Sequence, residues 1–241
     1  MSTTSSFAVA DHAVLDRFPA DLPGGTDLPG LYAAAAEIRN NRHSFVSWLD
    51  SLSQDEDTVR AIARRSYWHP NGFAKLVLHI GTEPEFRIRL HVWPASAEPS
   101  RGESNPHSHR WEFASTVLAG KGMHMFEYGE TAKGGKPYRR YRYGTDPADP
   151  AALVSDGDVR LKVVRPWHVG YGEVYSCHTE IVHTVRPIDA GLTATVVVQG
   201  PRRTPTTVVY CAPGESDDQP NHPLSESDFR LLVKSVVEAV A

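Results

Sequence analysis

His107-Ser108-His109 is the part of this sequence whose residue types and spacing could do chemistry. In an extended segment, side chains two residues apart stand on one face, separated by two rises of about 3.3 Å each. Two imidazoles placed that way can share one metal ion. Trp111 and Phe113 lie on the same face, while Glu112 has the opposite parity and points away in a regular strand. A β-bulge would reverse that parity and make Glu112 a further ligand. Otherwise it is an acceptor for a ligand imidazole N–H or a partner for an arginine. The chain has twelve histidines, so a chance pair, surface-exposed or hydrogen-bonded in the core, is easily found. Spacing carries the argument, not the count.

The elements that must position this pair fall into three zones. Residues 1–70 read as a helical extension, with Leu31, Ala34, Ala35, Ile38, Phe45, Trp48 and Leu49 at helical spacing. Ser53-x-x-Glu56 has the form of a capping box for a second helix, which must stop before His69-Pro70. Residues 71–213 change period. Phe86, Ile88, Leu90 and Val92 alternate with Arg87, Arg89, His91 and Trp93, and short β-rich runs follow at 73–78, 116–118, 123–128, 138–143, 160–164, 193–198 and 206–210. Such runs between Gly/Pro turns predict a mainly β sandwich or barrel. Residues 214–241 read as a polar linker and a terminal helix whose stripe of Phe229, Leu232, Val233, Val236, Val237 and Val240 must pack on the outside of the barrel. Helical ends around a β core predict one domain.

With these segments in view, the β zone resembles the cupin superfamily, whose first motif is written G-x5-H-x-H-x3,4-E-x6-G. His107, His109 and Gly120 fit it. Gly102 stands one residue close, and the glutamate slots hold Phe113 and Ala114, with Glu112 one place early. The second motif, G-x5-P-x-G-x2-H-x3-N, keeps its spacing from Gly172 through His178, Glu180 and His183 to Pro187, although only the first glycine and the histidine keep their identity. The resemblance implies a double-stranded β-helix (jelly-roll) barrel, His183 as a third ligand, and residues 178–180 at the bend. Barrels of this superfamily often pair, which implies a homodimer.

Three imidazoles without a carboxylate are similar to the ligand set of cysteine-dioxygenase-like thiol oxygenases. In those enzymes a basic residue on an early strand holds the substrate carboxylate, a position matched here by Lys75. The sequence departs from them elsewhere. No cysteine follows His109 closely enough for a Cys–Tyr crosslink, and residues 193–201 replace the expected Ser-x-His-x-Tyr. Thiol oxidation is therefore one option, and oxygenation of another small molecule is the other. His178-x-Glu180 with His222 and Arg230 also outlines a 2-oxoglutarate oxygenase triad, but that reading leaves residues 107–109 unexplained.

The remaining candidates follow from parity. Arg89 and His91 share a face with Arg87; if interior they hold a substrate anion, and if exterior they are solvated. Trp111 would line the pocket, and Gln199, near the end of an apolar strand, could donate into it. Glu112, His178 and Glu180 are candidates to orient ligands or move protons. His124 is read as a non-ligand, and Cys177 as a buried neighbour of the pocket. The run 136–143 interleaves cations with aromatics like a single-strand nucleic-acid platform, but reads better as a charged edge strand.

Composition excludes several classes. With 25 Lys+Arg against 29 Asp+Glu the chain is no general polyanion binder, and no apolar run approaches the roughly 18–20 residues of a membrane span. Two cysteines make no disulfide framework, and the first residues lack the basic and apolar regions of an export signal, so a cytoplasmic protein is expected. The expected function is a mononuclear iron(II) oxygenase using O2 on a small carboxylate or amino-acid-like substrate; zinc, nickel and copper suit the same ligands. Two alternatives are a non-redox isomerase, epimerase or lyase using the ion as a Lewis acid, and a non-catalytic small-molecule-binding cupin.

Overall fold

A computed structural model describes residues 25–95, 105–143, 152–215 and 221–240. Gly102 and most of the polar linker before the terminal helix lie outside the described residues.

Among the described residues, three helices come first: α1 (Leu28–Asn40), α2 (Arg42–Gln54) and α3 (Glu56–Arg65). Asp27 caps α1 by accepting from Gly30 N at 3.0 Å. The apolar series from Leu31 to Leu49 is split between two helices because Asn41 leaves helical geometry, at φ −108 and ψ 33. The capping box expected at Ser53 is not formed. Ser53 sits in the last turn of α2 and donates to Asp50 O, while Asp55 caps α3 by accepting from Thr58 N at 2.8 Å. Aspartate takes the cap because it stands at the residue where the backbone is already extended.

Twelve strands follow among the described residues. A seven-stranded antiparallel sheet has the order β12 (His222–Pro223), β1 (Tyr67–His69), β2 (Phe73–Thr82), β3 (Glu85–Trp93), β10 (Thr193–Arg202), β4 (Trp111–Ala119), β8 (Val174–Cys177). A five-stranded sheet has the order β11 (Thr207–Cys211), β6 (Lys136–Tyr143), β7 (Leu153–Gly170), β5 (Gly122–Glu130), β9 (Val182–Pro187). The histidine segment bridges the two open edges of this second sheet. His107 pairs with His183 on β9 and with Val209 on β11. The result is a nearly closed antiparallel β-barrel, flanked by N-terminal helices and the C-terminal helix α4 (Glu226–Val240).

Alternation along the seven-stranded sheet assigns its two faces. Leu76, Ile88, Leu90, Val92, Ala114, Val196 and Val198 face the helices and share one buried cluster with Leu31, Phe45, Leu49, Phe229 and Val233. Ala34 and Ala35 are fully buried, and their small side chains let α1 lie close on the sheet. The terminal stripe behaves as its spacing predicts, except that Val237 is only partly buried. The opposite face of the sheet points into the barrel, so β10 is buried on both sides. At the β4–β5 turn Gly120 has φ +88, and a Cβ there would lie 2.5 Å from Leu192 O.

The 136–143 run is not an edge. β6 lies between β7 and β11, and its cations are matched locally by Arg139–Asp158 at 2.8 Å, Arg140–Glu130 at 2.7 Å and an Arg142–Asp156 pair. Asp156 and Asp158 on β7 and Glu130 at the end of β5 supply the partners. Phe229 is 0% exposed at the junction of α4, the other helices and the sheet. Phe229→Ala is expected to cost about 3–5 kcal/mol of unfolding free energy, read as a lower urea midpoint at unchanged slope.

Candidate metal centre and cavity

Backbone pairing sets the site before any side chain does. His107 N donates to His183 O at 3.1 Å, and His183 N donates back to His107 O at 2.9 Å. On the other side, Ser108 N donates to Val208 O at 3.0 Å and Tyr210 N donates to Pro106 O at 2.9 Å. His107 therefore makes single-residue bridges on both flanks rather than sitting in a regular strand as expected. His107 and His183 are directly opposite each other, and two residues on His109 returns to the same inward face.

One ring nitrogen from each of His107, His109 and His183 lies within 4.8 Å of the others, the only such His/Cys/Asp/Glu group among the described residues. His107 Nδ1 is 2.9 Å from Asn105 O. A carbonyl can only accept, so this contact places the proton on Nδ1 and leaves the Nε2 lone pair for a metal. The Nε2 atoms of His109 and His183 stand 2.9 Å apart, a separation that needs either a proton between them or one cation shared by both. Burial, with positive charge from His107, His183, Lys75 and Arg89, holds the His109 pKa well below the usual histidine range. A neutral imidazole is the form that binds metal. The donor set fits a divalent ion held by three nitrogens.

This cluster opens on a cavity of about 420 Å³. The face of β3 that carries Arg89 and His91 is the inward one, and both line the cavity with Lys75 and Trp111. Lys75 and Arg89 are near neighbours across β2 and β3, since Lys75 is paired with His91 and Val77 with Arg89. Lys75 Nζ lies 5.1 Å from the Phe73 ring, and the Arg89 guanidinium lies 5.2 Å from the Trp111 ring. None of the described lining residues is acidic.

Four candidates are placed elsewhere. Glu112 keeps strand parity, because the register shift beside it adds its extra residue to β10, between Gln199 and Arg202, and not to β4; its carboxylate points away from the cavity, 3.0 Å from His178 Nδ1 and 3.7 Å from Arg203 Nε. That is the arginine-partner alternative, with His178 added. His178 and Glu180 are exposed at the β8–β9 turn and do not line the cavity. The 2-oxoglutarate arrangement does not assemble, because His222 is an exposed residue paired with Trp68 on β1. Gln199 is on the inward face but beyond the cavity's end, 4% exposed between Arg87 and Phe113. His124 does not line it either, whereas its neighbour Met123 does.

Sequence reasoning missed Tyr67, His69, Trp93, Asn105 and Tyr175, all of which line the cavity. Trp93 was readable from the same alternation that places Arg89 and His91. Tyr67 and His69 belong to a three-residue strand, and Tyr175 to a four-residue one, too short for a period to register.

His107→Ala, His109→Ala and His183→Ala are each expected to lower bound metal by at least tenfold, measured by elemental analysis after iron(II) reconstitution. Glu112→Gln and His178→Ala are expected to retain it. Loss of metal in Glu112→Gln would return the carboxylate to the ligand set.

No family model matches the chain, and no curated protein matches it significantly. Solved structures do resemble it. Hydroxypropylphosphonic acid epoxidase from S. wedmorenis is 11% identical, with a TM-score of 0.33 over 54% of this chain and 51% of that one. A recombinant oxalate oxidase in complex with glycolate is 16% identical, with a TM-score of 0.31 over 58% and 55%. An RmlC-like cupin from Shewanella frigidimarina is 11% identical, with a TM-score of 0.32 over 55% and 79%. The chain spans about half the length of the first two.

Proposed function

We propose that this protein is a metal-dependent enzyme, and in finer terms a mononuclear iron(II) oxygenase that acts on a small carboxylate. The observation that carries the reading is the cluster of three histidine ring nitrogens on the wall of a cation-lined cavity. His107, His109 and His183 would hold the ion. Iron(II) bound there supplies the redox chemistry with O2 that protein side chains lack.

The chain's own residues do the rest. Three neutral donors leave the charge of a divalent ion uncancelled, and Arg89 and Lys75 add to it, so the cavity favours an anion. Arg89, spread over Trp111, can present its planar fork to a carboxylate. His91 lies opposite Lys75 on the next strand, where it can accept a hydrogen bond from substrate or exchange a proton with it. Trp111, Phe113 and Val197 contribute apolar surface to the wall, which strengthens polar contacts made beside it.

Protein purified without added metal and reconstituted with iron(II) is expected to take up one iron per chain and to consume O2 only when a carboxylate substrate is present. Stoichiometric zinc or nickel with no O2 uptake across a panel of carboxylates, amino acids and thiols would contradict the oxygenase reading. Arg89→Met is expected to raise KM for the substrate by at least tenfold while leaving iron content unchanged.

A further inference from the structure

We infer that the cavity takes a planar aromatic acid, its acid group at Arg89 and its ring against the wall formed by Trp111, Phe113 and Tyr175. This rests on the reading of the cavity as the substrate site and narrows the class of carboxylate.

The acid follows from donors that lack acceptors. Arg89 Nε is buried with no hydrogen-bond partner among the described residues, and the same holds for Trp93 Nε1, on a side chain 1% exposed. Both residues line the cavity from the inward face of β3, four residues apart. Guanidinium and indole N–H groups donate and never accept. A buried donor without an acceptor is destabilising, so the complementary ligand brings oxygens. A carboxylate satisfies Arg89, and an oxygen carried on the ring would meet Trp93.

The aromatic body follows from the walls. Phe113 meets His109 edge-on at 5.1 Å and Tyr175 edge-on at 6.0 Å, and the Trp111 ring lies 5.9 Å from His109. The histidine cluster is thus rimmed by rings from β4 and β8. Two further lining rings, Trp93 and His69, each stack on the buried Phe73, at 4.5 Å and 4.7 Å. Aromatic surfaces at these spacings favour offset or edge contact with another ring. A volume of about 420 Å³ lies in the range of pockets for drug-sized ligands and leaves a three-carbon amino acid poorly enclosed. Arg89 lying over Trp111 sets the acid group beside an aromatic face.

Calorimetric titration of metal-free and iron-loaded protein with benzoate, 2-naphthoate, butyrate and alanine tests this. Benzoate and naphthoate are expected to bind at least tenfold tighter than butyrate or alanine in both forms. Arg89→Met should weaken the aromatic acids by at least tenfold, and Arg89→Lys should restore part of that. Trp111→Leu should abolish the aromatic preference; Trp111→Phe, which keeps a ring, should retain it and serves if the leucine variant does not fold. Equal affinity for butyrate and benzoate, or aromatic binding indifferent to Arg89→Met, would overturn the inference. Aromatic acids bound by a protein that takes no iron would leave the inference standing and remove the metal reading. Iron bound without aromatic preference would do the reverse.

Discussion

The backbone hydrogen bonds that His107 exchanges with His183 fix the geometry on which the rest of the site depends. Side chains at directly opposed positions of an antiparallel pair share a face, so two imidazoles meet without either chain segment being bent to fit. The pairing of Ser108 and Pro106 with β11 holds the segment from its other side, and Asn105 O orients the His107 ring. The same bonds close the five-stranded sheet. The barrel and the candidate metal centre are therefore one construction, and loosening the seam would cost both.

The two faces of the seven-stranded sheet divide the labour. The helix-facing side is aliphatic and tightly buried, with Leu76, Leu90, Val196 and Val198 each 0% exposed, and it carries the apolar burial that drives folding. That frees the inward side to carry Lys75, Arg89, His91 and unpartnered donors, which weaken a fold unless other packing offsets them. Alternate residues of β3 show both roles within one strand: Ile88, Leu90 and Val92 for the core, Arg89, His91 and Trp93 for the cavity.

How much of this was legible in the sequence follows from period and from where it fails. The alternation of β3, the continuous apolar run of β10 and the stripe on α4 announced themselves because many residues repeat one pattern. The pair His107 and His109 was visible by spacing, whereas parity alone left Glu112 open between a ligand reached through a bulge and a partner for an arginine. His183 came from resemblance alone, since β9 has six residues and no clear alternation. Whether the Arg89–His91 face of β3 looked inward could not be read, because a half-buried cationic cavity wall has the same residue types as a solvated face. Charged residues misled twice. The 136–143 run looked like an edge until its partners on β7 were in place, and His178 and Glu180 looked functional only through their motif spacing.

The central claim is that His107, His109 and His183 together bind one divalent ion in the barrel. The most direct measurement is anomalous X-ray diffraction at the iron edge from crystals grown anaerobically with iron(II). The account predicts a single strong peak within bonding distance of one ring nitrogen of each histidine and away from Glu112. A peak at another site, or none at the three histidines, would contradict it.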